Sequence, residues 1–161
     1  MKIDDYIFSE TDDSCARCGQ KELKNLTRHH IDENKKNNEY ENLIVLCWNC
    51  HYRFHQKKEI TETEIKSIKK RLIMKTLTQF GVNALKIAHR NKMGVAATSF
   101  LLLHLVEMGY LKQKSTLSSY YEEGKIVSDE ILFMITPKGE KLLRSILQMS
   151  KEKAPDADKT A

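Results

Sequence analysis

The fold of this chain is decided by residues 15–55, which read CARCGQKELKNLTRHHIDENKKNNEYENLIVLCWNCHYRFH. All four cysteines and four of the six histidines of the 161-residue chain lie in this stretch. The cysteines form two Cys-x-x-Cys pairs, and two such pairs can close one tetrahedral zinc site. The sequence therefore predicts a structural zinc held by Cys15, Cys18, Cys47 and Cys50, and it leaves the histidines for a second task.

The four histidines of this stretch are His29, His30, His51 and His55, and their number fits phosphodiester hydrolysis. That reaction needs an activated water, charge that offsets the phosphate, and a stabilised leaving 3′ oxygen. Three neutral imidazoles can hold a divalent ion, and a fourth can accept the proton because its ordinary pKa lies near neutral pH. Adjacent strand residues point to opposite sides, so His29 and His30 are expected to differ in role, and periodicity does not say which is which.

Local patterns place these residues on two strands and a helix. Residues 23–31 predict a strand that carries the double histidine, and residues 42–46 predict a second, apolar strand. Residues 48–56 predict a short helix, which puts His51 and His55 on one face. The polar residues 32–39 predict a loop, and the acidic residues 1–14 predict a lead-in segment.

The order Cys-x-x-Cys, His-His-Ile, then Asn-Leu-x-x-Leu-Cys-x-x-Cys-His-x-x-x-His over about residues 15–56 resembles the HNH endonuclease family, in its zinc-stapled branch. The resemblance implies a ββα-metal core. It implies that His29, His51 and His55 bind a catalytic divalent ion, which would be magnesium, manganese, nickel or zinc. It also implies that His30 is the general base.

Two further points concern the loop between the strands. The resemblance implies that Asn42 pins this loop rather than touching substrate. Many relatives carry a glycine pair before that asparagine, whereas this chain has Asn37 and Asn38. Asparagine also tolerates turn conformations, so the loop is expected to keep its function.

The second part of the chain predicts helices and a hairpin. Thr61 and Glu64 form a capping-box pattern that opens a connecting helix over residues 61–80. Gly81 is predicted to interrupt the helical structure before the next helix begins. Helices are then predicted over residues 82–90 and 95–108, extended segments over 110–115 and 126–135, and a last helix capped by Thr136 with Pro137 in first position to residue 149. Residues 150–161 predict a disordered tail.

This order, with the phrases LVEMGYL (105–111) and ITPKGEKLL (135–143), resembles the winged helix-turn-helix domains of MarR-type regulators. The resemblance implies a recognition helix over residues 95–108 and a wing over residues 115–125. Thr98 and Ser99 would then be suited to reading base edges. The helix is apolar around most of its circumference, so a dimerisation or docking unit is the alternative to a base reader.

The net charge of +5 is unevenly distributed, and the basic C-terminal part is compatible with nucleic acid as a partner. Residues 1–60 carry 10 basic and 11 acidic side chains, whereas residues 61–161 carry 17 and 11. Phosphate neutralisation supplies most non-specific affinity for DNA, although a solvated lysine-rich helix is an equal alternative. The predicted DNA contacts are Arg28, Arg53, Lys66, Lys69, Lys70, Arg71, Thr98 and Ser99, and for Arg28 and Arg53 plain exposure is the alternative.

We therefore predict an α+β protein with two domains, an HNH nuclease module over residues 1–60 and a winged helix-turn-helix domain over residues 61–149. The predicted function is a metal-dependent DNA endonuclease that nicks or cuts, with a homodimer through the winged domain as a further expectation. The alternative is a non-catalytic DNA-binding regulator that uses the zinc module as a scaffold, and a nuclease acting on RNA is weaker because no base-stacking sheet is indicated. The chain shows no export signal and no apolar run that could span a membrane, which predicts a cytoplasmic location.

Overall fold

The structure is a computed structural model that describes residues 3–92 and 94–152, with the backbone alone at residues 126–128 and 149–152. The chain divides into two compact units, Met1–Thr78 and Gln79–Ala161. Within the described residues, no helix is both long enough and apolar enough to cross a membrane.

The first unit is built around a two-stranded antiparallel sheet that is followed directly by a helix. Its elements are α1 (Ile3–Ser9), β1 (Leu26–His30), β2 (Leu43–Cys47), α2 (Trp48–His55) and the first part of α3 (Glu62–Arg90), with short 3-10 turns at Leu23–Asn25 and Tyr40–Asn42. His29 pairs with Ile44 and His30 with Leu43. The predicted strand–strand–helix order and the mixed α+β class are confirmed, and the expected lead-in segment contains the helix α1.

The core of the first unit joins the strands to both helices that follow. All five residues of β2 are buried. One cluster contains Cys15, Ile31, Ile44, Leu46, Cys47, Cys50, Phe54, Ile60, Ile65 and Ile68. Because Ile65 and Ile68 belong to α3, the compact unit extends to Thr78, whereas the sequence predicted the boundary between residues 60 and 61.

The first Cys-x-x-Cys pair forms a tight knuckle that is anchored on β2. The Gly19 N–H donates to the carbonyl of Cys15 at 2.8 Å, and Gly19 takes a φ of 75°, which glycine adopts without steric cost. The Ala16 N–H donates to the Val45 carbonyl at 2.9 Å. This bond holds the knuckle beside the strand that leads into the second pair.

Helix α3 starts where the capping pattern predicted and is interrupted at a different residue. The Thr61 hydroxyl accepts from the Glu64 N–H at 3.1 Å, which confirms the cap. The non-helical residue is Thr78, with φ 57° and ψ 170°. The interruption predicted at Gly81 was wrong, because Gly81 is buried in the helix and packs against His104 and Leu105.

The second unit is a three-stranded antiparallel sheet with helices. Its elements are β3 (Val95–Ala97), α4 (Ser99–Glu107), β4 (Leu111–Glu122), β5 (Lys125–Ile135) and α5 (Pro137–Glu152), besides the part of α3 after Thr78. The strand order is β3-β5-β4. Its buried residues include Leu85, Leu102, Leu105, Tyr110, Phe133 and Leu143.

The helix predicted over residues 95–108 is shorter than expected. Residues 95–97 form the strand β3, in which Val95 pairs with Phe133 and Ala97 with Ile131. Gly94 precedes it at φ 100°, so close to the Phe133 carbonyl that a Cβ would collide. Pairing with β5 therefore overrides the local helical preference of the two alanines.

The hairpin is longer than predicted, and so is the last helix. The strands continue to Glu122 and from Lys125, with only Glu123 and Gly124 between them at φ 50° and 74°. Two positive φ values in a two-residue turn are typical of the type I′ hairpin, so the predicted wing loop is mostly strand. Thr136 caps α5 as predicted, its hydroxyl accepting from the Gly139 N–H at 3.1 Å. Of the predicted tail, residues 150–152 continue α5 and residues 153–161 lie outside the described residues.

Candidate metal centres and active site

The four cysteines converge at the junction of the knuckle, β2 and α2. Their sulfur atoms all lie within 4.8 Å of one another, and the sulfurs of Cys18 and Cys47 are 3.7 Å apart. A Zn–S bond of about 2.3 Å in a tetrahedron separates neighbouring sulfurs by about 3.8 Å. The cluster therefore fits a zinc ion in spacing as well as in donor type, and it supports the predicted structural zinc.

The protonation of the thiols also favours a cation at this place. Burial opposes ionisation of Cys15, but backbone N–H groups of Cys18, Cys47 and Arg17 outweigh it and lower the pKa of Cys15 to about 7. Burial, followed by the negative charge on Cys15, raises the pKa of Cys50. Several thiolates can coexist here only if a bound cation offsets their mutual repulsion.

Three of the four histidines form a second cluster beside the first. His29 comes from β1, and His51 and His55 come from successive turns of α2. One ring nitrogen from each lies within 4.8 Å of the others, and the ring centroids are 4.5 to 5.3 Å apart. Because α2 follows β2 without a loop, and β2 pairs with β1, the helix presents its two histidines to the one on the strand.

The buried member of this cluster has an unsatisfied nitrogen. His29 is 2% exposed, and its Nε2 has no hydrogen-bond partner within the described part of the chain. An orphaned buried polar atom costs free energy unless a ligand satisfies it. A divalent ion bound by the three imidazoles would do so, and the donor set therefore fits one.

Burial favours the neutral form of two of these imidazoles, His29 and His51. Burial, followed by repulsion from His51, His55 and His30, lowers the pKa of His29 to about 4. Burial and His55 also lower the pKa of His51. Neutral imidazole is the form that binds a metal ion, so the site is prepared for a cation at neutral pH.

His30 lies outside this cluster, although it is adjacent to His29. It is partly exposed, and its Nε2 is 3.1 Å from Oδ1 of Asn38. The alternation of strand side chains explains why one histidine faces α2 and the other does not. The structure thus brings together His29, His51 and His55, and it leaves His30 facing the loop after β1.

Asn42 is buried and organises that loop. Its Nδ2 donates to Oδ1 of Asp32 at 2.8 Å and to the carbonyl of Asn37 at 2.9 Å, and its Oδ1 accepts from the Asp32 N–H at 3.0 Å. Hydrogen bonding from Asn37 in turn lowers the pKa of the Asp32 carboxyl. These hydrogen bonds tie Asn42 to both Asp32 and Asn37 of the loop after β1.

Sequence reasoning missed three loop residues near the histidines, namely Asp32, Glu33 and Asn38. Oε1 of Glu33 lies 3.5 Å from Nδ1 of His55, and Glu33 has a φ of 59°. The polar character of residues 32–39 predicted a loop but not these contacts. Each contact joins residues that only the folded loop brings near each other.

The predicted DNA contacts have different surroundings. Exposed ion pairs join Arg28 to Asp4 at 3.0 Å, Arg53 to Glu59 at 2.6 Å and Lys66 to Glu62 at 2.6 Å. Lys70 is half-buried and Arg71 is exposed. In the second unit, Thr98 is the N-cap residue of α4, and the Ser99 N–H donates to Asp129 at 3.1 Å.

Lys69 is the exception, and the expectation that it contacts DNA is corrected. It is 2% exposed, and its Nζ lies 2.6 Å from Oε1 of the buried Glu10. Nζ also lies 3.6 Å from the centre of the Tyr40 ring. The helical period predicted Lys69 on a solvated face, because that period contains no information about the contacts of Lys69 with Glu10 and Tyr40.

Comparison with known proteins supports the assignment of the first unit. The search among curated proteins and the search among solved structures gave no match. A scan against family models matched one segment, which contains both groups of candidate metal ligands and the loop between the strands. Residues 15–57 of this chain match the family model described as HNH endonuclease.

Proposed function

We propose that this protein is a metal-dependent DNA endonuclease whose active site is formed by His29, His30, His51 and His55. The observation that carries the proposal is the separation of the histidines. Three imidazoles converge on one point, the buried His29 Nε2 has no hydrogen-bond partner among the residues that the structure describes, and the fourth imidazole stands outside that cluster. A zinc ribbon that served only as a scaffold would need none of these four histidines.

The residues would divide the reaction between them. His29, His51 and His55 would hold a divalent ion, and such an ion offsets charge on the phosphate and on the departing 3′ oxygen. His30 takes a proton from water, the water oxygen forms a bond to phosphorus, and the bond from phosphorus to the 3′ oxygen breaks. The 3′ oxygen takes up a proton from solvent, and each active site cleaves one strand.

The second unit would place this module on DNA or pair two copies of it. The β3-β5-β4 sheet with a long hairpin after α4 supports the winged-helix interpretation, with β4 and β5 as the wing. Helix α4 exposes Phe100 at 72% and Leu103 at 49%. Exposed apolar side chains of this size favour a protein contact over base reading, and we propose a homodimer through this unit.

The alternative function is a DNA-binding regulator in which the zinc module is only a scaffold. A plasmid-nicking assay with added magnesium, manganese or nickel separates the two functions. We expect cleavage by the wild-type protein that depends on the ion and falls at least about 100-fold in His30→Ala. His89→Ala is the matched control, since it removes an exposed histidine in the second unit and should leave the rate unchanged.

The assay also decides between substrates. Single-stranded DNA, double-stranded DNA and RNA are compared under the same conditions, and we expect cleavage of DNA. Binding to DNA without any ion-dependent cleavage by the wild-type protein would refute the nuclease function and leave the regulator.

A further inference from the structure

The loop after β1 brings Asn38 against the imidazole of His30. His30 Nε2 and Asn38 Oδ1 are 3.1 Å apart. An amide oxygen can only accept a hydrogen bond, so Nε2 must be the nitrogen that carries the proton. The lone pair of the neutral imidazole is then on Nδ1. We propose that Asn38 is a positioning residue that fixes His30 in the Nε2–H tautomer and leaves Nδ1 as the atom that accepts a proton.

The position of Asn38 is set by a chain of amide contacts that begins in the core. Buried Asn42 donates through Nδ2 to the carbonyl of Asn37 at 2.9 Å and to Asp32 at 2.8 Å. The Asn37 side chain donates to the other oxygen of Asp32 at 2.7 Å. The residue immediately before Asn38 is therefore tied at both its backbone and its side chain. The hydrogen bonds of Asn37 therefore help to hold Asn38 beside His30, in addition to the contact between Asn38 and His30 itself.

The consequence for catalysis follows from the chemistry of the imidazole. A histidine in the opposite tautomer has its proton on Nδ1 and cannot take another from water at that atom. In a hydrolase where the orienting partner of the base was altered, the wrong tautomer reduced turnover by about 10⁴-fold. The catalytic importance of Asn38 rests on the proposed function, because it assumes that His30 is the base. The tautomer itself can be measured without any activity.

Two substitutions at this position separate tautomer control from simple charge. Asn38→Asp keeps an acceptor for the Nε2 proton, whereas Asn38→Lys offers only donors and should turn Nε2 into an acceptor. On DNA, charge alone predicts the reverse order, because a lysine attracts phosphate and an aspartate repels it. We expect Asn38→Asp to keep kcat within about 10-fold with a raised KM, and Asn38→Lys to lose at least about 100-fold in kcat with a lowered KM.

The direct measurement is the nitrogen-15 NMR spectrum of the His30 imidazole, recorded about two pH units above the ordinary histidine pKa. We expect the wild-type protein and Asn38→Asp to carry the proton on Nε2, and Asn38→Lys to carry it on Nδ1. Lys35→Asp is the matched control, because it changes the charge of an exposed residue in the same loop and should alter KM alone. A methionine side chain has no strong donor or acceptor, so Asn38→Met replaces the lysine variant in this comparison if that variant does not fold. We expect Asn38→Met to lower kcat with KM unchanged.

An unchanged His30 tautomer in Asn38→Lys would overturn the proposal. So would a wild-type kcat in Asn38→Lys or, if that variant does not fold, in Asn38→Met. Equal losses in the aspartate and lysine variants would also overturn it, because they would indicate a structural role for the amide. If the wild-type protein does not cleave DNA at all, the nuclease function fails, and the NMR comparison still decides what Asn38 does to His30.

Discussion

His29 and His30 are neighbours in sequence but differ in almost every physical property that bears on chemistry. His29 is buried, its pKa is lowered to about 4, and its Nε2 has no hydrogen-bond partner in the described structure. His30 is partly exposed and bonded to an amide side chain. A single residue step on a strand reverses the direction of the side chain, which is sufficient to separate a metal-binding role from a proton-transfer role.

The carboxylate of Glu33 leads to a graded prediction for ion binding. Outer partners that orient a ligating histidine change metal affinity by about 10- to 100-fold. Because Glu33 lies 3.5 Å from Nδ1 of His55, we expect Glu33→Ala to weaken binding of the divalent ion proposed for the histidine cluster by about that factor, whereas His51→Ala should weaken it further. Titration calorimetry with manganese or nickel measures both effects. Tyr52→Ala, an exposed substitution on the same helix, is the control, and equal affinity in Glu33→Ala would exclude the positioning role.

At the scale of elements, a buried ion pair within the first unit joins the helix α3 to the segment that follows α1. Glu10 follows α1, Lys69 lies in α3, and Tyr40 lies in the turn that ends at Asn42. Lys69 Nζ is 2.6 Å from the Glu10 carboxylate, and the Tyr40 hydroxyl donates to the same carboxylate. Burial raises the pKa of Glu10 and lowers the pKa of Lys69 to about 8, in both cases against the attraction between the partners. Together with Tyr40, the pair therefore connects the segment after α1 and the helix α3 to the end of the loop between β1 and β2.

Removing one partner of this ion pair is expected to lower the free energy of unfolding more than removing both partners. Lys69→Met or Glu10→Gln alone leaves a buried charge without its partner, which costs roughly 3–5 kcal/mol. The double substitution removes both charges and should recover most of that loss. Urea unfolding of the four proteins gives the coupling energy, and strictly additive losses would show that the pair is not coupled.

The pH dependence of the Lys69→Met variant follows from the same pair. Without Lys69, the pKa of Glu10 rises further above its ordinary value of 4.5, so the folded state keeps a proton that the unfolded chain releases. Stability is then fully present below pH 4.5 and is lost as the pH rises through the folded pKa. We expect the deficit of Lys69→Met relative to wild type to be smaller near pH 4.5 than at neutral pH. A deficit that does not change with pH would contradict this origin.

Helix α4 carries a prediction about assembly. Phe100 and Leu103 are exposed, and burying one such side chain contributes about 1.5–3 kcal/mol. If this face joins two copies, Phe100→Ser should shift the protein towards monomer by about 10-fold or more in the dimer dissociation constant. Sedimentation equilibrium measures the shift, with the exposed Leu117→Ser on β4 as the control. A wild-type protein that stays monomeric would exclude the homodimer.

For the molecule as a whole, the division after Thr78 changes the interpretation of its charge. Residues 1–78 contain 15 basic and 13 acidic side chains, and residues 79–161 contain 12 and 9. The two units are therefore similarly basic, and the lysine-rich first part of α3 belongs to the unit that carries the histidines. If the protein binds DNA, this distribution favours phosphate contacts made by the first unit itself rather than by the second unit alone.

Removal of zinc should affect one unit and spare the other. The four cysteines lie in the first unit, and three of them are buried at its core. Structural zinc contributes roughly 10–16 kcal/mol to folding in small modules. We expect a strong chelator to abolish one thermal transition in calorimetry and leave a second one, with zinc restoring the first. Two unchanged transitions after removal of all zinc would contradict the structural role of the cysteine cluster.

The sequence by itself determined which cysteines and histidines are candidate ligands and which local elements carry them. Cysteine and histidine spacing, the apolar run of β2 and the period of α2 are all short-range patterns, so both groups of side chains that the fold brings together could be predicted with their residues. The Thr61 and Thr136 caps were predictable for the same reason, because each depends on a hydrogen bond to a residue three positions away.

Only the tertiary structure decided what depends on contacts between distant residues. The ion pair that buries Lys69 joins residues 59 positions apart, and β3 exists because Val95 pairs with Phe133. The extent of the first unit follows from the packing of α3 in the core that contains the cysteines, and the Asn38–His30 contact follows from the folded loop. Local propensity contains no information about which side chain a distant segment will cover, and these features therefore lay beyond the sequence patterns.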